Sequence, residues 1–306
     1  MRVADSDRVA LAARLLGGGL GLDLGAATIR IRSDVPELAG LLQTLYGSYR
    51  VEDELELFDV TVKLRRARGL RRLIRPQVEL LVDAAVEFEP FPLDTPLPLL
   101  EWGVNYALAS RLCCYLLLHS GVVERRGRAV LLPAMPGSGK STLTAALALR
   151  GFRLLSDEFG VVRLSDSHLL PMLRPIALKN ESIDVISRFE TKAVIGPRYP
   201  KTHKGTVAHL APKSEHVDAC HVPAAPALIV FPRHDPSVEM QMEPVTQARA
   251  FARLAVNSFN YEILGPDGFD ALGRVAQACT CYQLRYRDLD RAVDAIAELL
   301  DQAVSH

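Results

Sequence analysis

The stretch of the sequence with the densest chemistry is Pro136-Gly-Ser-Gly-Lys-Ser-Thr142. It follows a short apolar run, Ala129 to Leu132, and leads into Leu143-Thr-Ala-Ala-Leu-Ala-Leu149. A buried strand, a glycine turn and a helix, in that order, form a cradle for the phosphates of a nucleotide. Successive backbone N–H groups point into such a turn, and the helix N-terminus adds partial positive charge. Gly137 and Gly139 leave no Cβ between the backbone and a phosphate. Lys140 would reach the β- and γ-phosphates, and the Ser141 hydroxyl would ligate Mg²⁺. The candidate nucleotide-binding residues are therefore Pro136, Gly137, Ser138, Gly139, Lys140, Ser141 and Thr142. The general pattern begins with glycine, whereas Ala134 stands at that position here. No guanine-specifying Asn-Lys-x-Asp stretch is present, which favours ATP.

A second constellation lies 17 positions beyond Lys140, at Asp157-Glu158. The helix from Lys140 to Arg150 would advance about 16 Å, and Gly151 suits its C-terminal cap. A strand over Phe152–Ser156 would return about the same distance. A right-handed crossover makes that strand parallel to the first and brings Asp157-Glu158 level with Lys140. Beside a Mg²⁺-triphosphate, one carboxylate can hold the metal and the other can take a proton from an attacking hydroxyl or water. We assign Asp157 the base and Glu158, with Ser141, the metal.

These residues resemble the HPr kinase/phosphorylase family, and more closely the bacterial HPr-kinase-related kinase A proteins. The likeness rests on Lys140-Ser-Thr, on Asp157-Glu158 within Gly151-Phe-Arg-Leu-Leu-Ser-Asp-Glu158, on His119-Ser-Gly-Val-Val-Glu124 and on Ile176-Ala-Leu-Lys-Asn-Glu-Ser182. It covers about residues 99 to 300. It implies an α/β fold with a phosphate-loop (P-loop), PEP-carboxykinase-like core. It also implies transfer of the γ-phosphoryl group of ATP to a serine or threonine of a peptide or small protein, with Asp157 deprotonating the hydroxyl. Family members are often oligomers, so a homo-oligomer is an expectation. Where the family carries a Mg²⁺-binding glutamate, this chain has Ala177-Leu-Lys-Asn180; Lys179, Asn180 or Glu181 would take over part of that role, or Asn180 would cap a helix. An ATP-hydrolysing switch, a small-molecule alcohol kinase and a non-catalytic nucleotide-binding scaffold remain open alternatives.

Composition sets the frame. The 306 residues are 49% hydrophobic and 24% charged, with a formal net charge of zero, as in an ordinary soluble protein. No basic field argues for nucleic acid. The apolar stretch Val104–Leu118 is broken by Arg111 and is too short to span a bilayer; with no leader-like N-terminus, a cytoplasmic location is expected. The five cysteines lack zinc-site spacing and read as reduced and buried. His209, His216 and His221 are likewise assigned no metal.

Three segments organise the chain. Residues 1–89 read as a small α/β unit, with strands at Ala27–Arg32, Phe58–Leu64 and Gln77–Asp83. Residues 90–98, with four prolines, read as a linker without regular structure. Residues 99–306 would form the kinase domain, opening on a helix from Leu99 to about Leu118. The six-arginine run Arg65–Arg75 reads as a solvated hairpin balanced by the acidic run Glu52–Glu56, or as a contact for phosphates or an acidic partner. Gly196–Gly205 is basic and proline-interrupted, hence a loop, from which Lys201, His203 and Lys204 could touch nucleotide or substrate. Arg249 reads as a helix-surface residue, or, as its segment Pro244–Arg249 resembles one in the family, as an arginine near the active site.

Overall fold

The computed structural model describes residues 1–52, 55–69, 74–86, 88–135 and 137–302. After a helical turn at Val3–Asp5 come α1 (Arg8–Leu16), β1 (Leu20–Asp23), β2 (Thr28–Ser33), α2 (Glu37–Leu45), β3 (Val60–Arg66), β4 (Gln77–Val82), β5 (Ala85–Val86) and β6 (Phe91–Pro92). Then follow α3 (Pro96–Arg111), β7 (Tyr115–Arg125), β8 (Arg128–Pro133), α4 (Lys140–Leu149), β9 (Arg153–Ser156), β10 (Phe159–Arg163), β11 (Leu169–Leu170) and β12 (Ile176–Lys179). The chain continues through α5 (Glu181–Phe189), β13 (Tyr199–Thr202), β14 (Gly205–Leu210), α6 (Ser214–Asp218), β15 (Ala225–His234) and β16 (Met240–Pro244), and ends with α7 (Gln247–Val256), α8 (Tyr261–Ala278), β17 (Thr280–Tyr286) and α9 (Leu289–Gln302). The class is mixed α/β, with open mixed sheets.

The N-terminal sheet has the order β1-β2-β3-β4-β5, with β6 also on β4. Period-two alternation decides its faces. Ile29, Ile31, Val60, Val62 and Leu64 are buried, while Arg32 and Lys63 face outward. Helices α1 and α3 cover the buried face, and α2 packs on them in the same core. At the start of the arginine run, Arg65 pairs with Glu79 (2.9 Å) and Arg66 lies beside Asp34 (3.9 Å), rather than with the acidic run. Leu70 to Leu73 of that run, and Asp53-Glu54 of the acidic run, lie outside the described residues.

The proline-rich segment is not irregular throughout. Phe91–Pro92 pairs with Gln77–Val78 of β4, and Pro96 and Pro98 open α3. A helix's first turn has N–H groups with no intrahelical partner, so proline costs nothing there. Helix α3 is buried nearly all round between the N-terminal sheet and the rest of the molecule. Gly103 lets it lie directly on β4, because a Cβ there would overlap Leu80.

The expected helix to Leu118 stops at Arg111, and Tyr115–Leu118 already belongs to β7. A continuous apolar run does not distinguish helix from buried strand by periodicity. The break is held from far along the chain: Asn260 accepts from Leu117 N–H (2.9 Å) and donates to the carbonyls of Leu112 and Tyr115. Cys113 and Cys114, expected to be buried, are exposed in this turn, and all five cysteines are free.

The central sheet has the order β11-β10-β7-β8-β15-β17-β16. Strands β8, β15 and β17 are parallel. Strand β9 is not the direct neighbour of β8. It pairs antiparallel with β7, which is antiparallel to β8, so β9 runs in the direction expected from the crossover with one strand interposed. Alternation again splits the core. Val130 and Leu132 face α4 and α9, whereas Ala129 and Leu131 face α7 and α8. Helix α4 approaches β7 over Gly121, where an added Cβ would overlap the buried Thr144 Oγ1. Thr144 is β-branched, stiff, and donates to Lys140 O (2.9 Å). Gly121→Ala is therefore expected to destabilise the protein by about 1–3 kcal/mol and to weaken nucleotide binding by displacing α4. Urea unfolding and nucleotide titration check this; an unchanged midpoint would show that α4 is free to shift.

A small third sheet has the order β12-β14-β13. Gly196–Gly205 thus contains a strand rather than a loop alone. Its Pro200 sits on an edge strand, which needs no ladder donor on its open side.

Two histidines in this part are buried, His209 and His216. Burial pushes the His216 imidazole down to about 4, helped by Lys213 and Arg153, and lowers that of His209. The unfolded chain takes up these protons near pH 6.5, whereas the folded chain resists. Stability should therefore fall with pH below about 6.5, by about 1.4 kcal/mol per unit for each such histidine. Denaturant midpoints at pH 7 and pH 5 test this; equal midpoints would contradict it.

Candidate functional site

Strand β8 ends at Pro133, and the glycine loop follows at the carboxyl ends of the parallel strands, where α/β sheets bind ligands. Pro136 lies outside the described residues. Gly137 and Gly139 have φ of +84° and +90°, values that side chains with a Cβ rarely adopt. Gly139 is also packed closely: a Cβ there would press on His234 and Tyr286. His234 N–H donates to Ser138 O (2.8 Å), tying the loop to the end of β15. Helix α4 starts at Lys140 with no side-chain cap, so its first-turn N–H groups stay available to an anion. Ser141 and Thr142 are half-buried in that turn, and the buried Ser138 Oγ has no partner.

The carboxylate pair lies across from this loop. Strands β9 and β10 both run along β7, with Asp157-Glu158 as the break between them. The local cause is Ser156, whose Oγ accepts Phe159 N–H (3.1 Å), a hydroxyl turn that interrupts the ladder. The break turns the Asp157 carbonyl towards Lys140, whose Nζ donates to it and lies 3.9 Å from Asp157 Oδ1. Lys140 and Asp157 are both buried, and Asp157 Oδ1 has no hydrogen-bond partner. An unpartnered buried carboxylate oxygen is costly, and such an oxygen beside a lysine and an uncapped helix end fits a site made to receive a ligand.

Glu158 is half-buried and faces His119, Nε2 to Oε1 3.5 Å. Burial opposes its ionisation, but Lys140, His119, Lys179 and Arg174 outweigh it, so its pKa is lowered and it stays a carboxylate. Burial, then Lys140, lower the His119 pKa. His119 is held by exchange with Asn257: its N–H donates to Asn257 O (2.8 Å), and Asn257 Nδ2 donates back to His119 O (2.9 Å). Phe259 packs on both the His119 and Phe159 rings. Hard oxygen donors from Ser141 and Glu158 suit Mg²⁺, so the donor set fits that ion.

Beyond the carboxylates lies a cleft of about 40 Å³ lined by Trp102 and Asn105 of α3, Asp157, Glu158, Arg174, Lys179 and Lys204 among others. Behind it, Arg174 is buried and donates to Glu101, carboxylate and carbonyl, and to Asn105; Tyr46 OH donates to Glu101 (2.6 Å). Sequence reasoning missed His119, Glu101, Trp102, Asn105 and Arg174 as neighbours of this site. Only the His119-Ser-Gly segment carried a signal, as part of a family likeness.

Other expectations divide. Asn180 caps no helix with its side chain; instead it accepts Thr206 N–H (3.0 Å) at a φ of +51°. Arg249 is exposed on α7. Lys204 lines the cleft, while His203 meets the Phe91 ring edge-on; the Lys201 side chain lies outside the described residues. Asp23 comes together with the distant neighbours Cys220 and His221, their donor atoms within 4.8 Å of one another, a grouping that spacing could not show. Among the described residues, no helix is long and apolar enough to cross a membrane. No family model matches the sequence, and no curated protein matches it.

Proposed function

We propose that the protein is an ATP-dependent phosphotransferase with a P-loop, HPr-kinase-like core, which moves the γ-phosphoryl group to a hydroxyl, of a serine or threonine in a peptide or small protein. One observation carries the reading: Lys140, leaving an uncapped glycine-loop helix, meets the buried Asp157, whose Oδ1 is unpartnered beside an open cleft. Gly137 to Thr142 hold the triphosphate through main-chain N–H groups, with Lys140 on the β- and γ-phosphates. Ser141 and Glu158 would hold Mg²⁺, which when bound neutralises charge on the phosphate oxygens. Asp157 accepts the acceptor's hydroxyl proton as its oxygen bonds to Pγ; the bond from Pγ to the bridging oxygen breaks, and ADP leaves with that electron pair. The lysine, oriented by the Asp157 carbonyl, keeps the attacking and leaving oxygens in line.

ATP turnover with Mg²⁺ in the absence of any acceptor tests this reading. A kinase hydrolyses ATP poorly until a hydroxyl acceptor is supplied. Brisk acceptor-independent hydrolysis, unaltered by cell lysate, would point instead to a nucleotide-driven switch.

A further inference from the structure

We propose that the cleft beside Asp157 binds an anionic group next to the acceptor hydroxyl, a carboxylate or phosphate gripped by Lys179 and Lys204, so that the acceptor is a serine or threonine in an acidic setting. This inference rests on the phosphotransferase reading and narrows its substrate.

The argument is a balance of charges around one small space. Seven charged side chains surround the site: Glu101, Lys140, Asp157, Glu158, Arg174, Lys179 and Lys204. Arg174 is satisfied by Glu101. Lys140 is taken by Asp157, and Glu158 faces His119 at 3.5 Å while feeling the fields of Lys140, Lys179 and Arg174. Among the described residues, Lys179 and Lys204 have no carboxylate within ion-pair distance. Two ammonium groups lining one cleft repel each other; burial first and Lys204 next lower the Lys179 pKa, and the more distant Glu158 and Asp157 only partly offset them. An anion between them removes that cost and gains charge-assisted hydrogen bonds.

The backbone holds the two lysines in place. Lys179 ends β12, paired with Val207 of β14. Lys204 sits in the tight turn between β13 and β14, where Thr202 Oγ1 accepts Lys204 N–H (3.1 Å) and donates to Gly205 O (2.6 Å). Asn180 pins the same turn: its N–H donates to Thr206 O (2.8 Å) and its Oδ1 accepts Thr206 N–H. Gly205 is required there, since its φ is +81° and a Cβ would overlap Asn180. Trp102 closes the far wall, with Lys204 Nζ 5.3 Å from its ring centre. The space admits a small group rather than a folded surface, which suits one anionic side chain beside the reacting hydroxyl.

Trp102 is the sole tryptophan of the chain, so tryptophan emission reports on this cleft without requiring turnover. The full-length protein, saturated with Mg²⁺ and a non-hydrolysable ATP analogue, is titrated with short peptides holding one serine flanked by aspartate, phosphoserine, lysine or alanine. The aspartate or phosphoserine peptide should give a saturable change, and the stronger of the two names the anion. Lysine and alanine peptides should give none at the same concentrations. Lys179→Ala and Lys204→Ala should each weaken the response about tenfold or more. Equal responses to all four peptides, or none to the acidic pair, would overturn the proposal. So would lysine variants that lose the ATP analogue but keep the peptide, since the lysines would then serve the nucleotide. A protein that binds acidic peptides in this way but transfers no phosphate would retain the anion site and lose the kinase reading.

Discussion

Asp157→Asn is expected to lower phosphoryl transfer by about 10²- to 10⁴-fold while leaving nucleotide binding nearly intact. The asymmetry follows from what each atom of Asp157 does. Lys140 donates to the main-chain carbonyl of residue 157, which asparagine keeps. The unpartnered Oδ1 is the group that would take the proton, and an amide cannot. Asparagine also matches aspartate in size, so the tight surroundings of this buried residue need not repack. Turnover and analogue binding are measured on the same preparation. Loss of both together would mean that Asp157 shapes the loop rather than the chemistry.

The second large effect is on stability. Glu101→Ala should destabilise the protein by about 3–5 kcal/mol, because it strands the buried Arg174 guanidinium. Arg174 is the hub between α3 and the segment before β12: it donates to Glu101 and Asn105, and its guanidinium is held charged by the Glu101 carboxylate. Tyr46, whose hydroxyl donates to Glu101, would lose its acceptor as well. Replacing both charges, Glu101→Leu with Arg174→Met, should cost less than Glu101→Ala alone, since no buried charge is then left unpaired. Urea midpoints of the two variants decide the matter. A cost below about 1 kcal/mol for Glu101→Ala would mean that water reaches the arginine.

The local parts of the site were legible in the sequence because their signals are local. Gly137 and Gly139 mark positive φ, and the apolar run before them marks a buried strand. Equal lengths of helix and returning strand bring Asp157 to Lys140, and that meeting is observed even though β7 intervenes between β8 and β9. The interposition was not legible because nothing local says which strand the returning one pairs with; the first half of β7 continues an apolar run that also fits a helix, and the residue that stops the helix, Asn260, lies more than a hundred positions away. The cleft was legible only in Lys179 and Lys204, each named singly, and not as one space, for a similar reason. Trp102 and Asn105 come from α3, Lys179 from β12 and Lys204 from a hairpin turn, and only tertiary packing brings them together. The proline-rich segment misled because proline counts against a helix interior but not against its first turn.

The most direct measurement is label transfer from [γ-³²P]ATP with Mg²⁺, in lysate of the source cell, by the native chain and by Asp157→Asn. The account predicts a labelled serine or threonine in a peptide or protein, produced by the native chain and lost in the variant. Binding of ATP with no labelled product and no phosphate release, or labelling that persists in the variant, would contradict it.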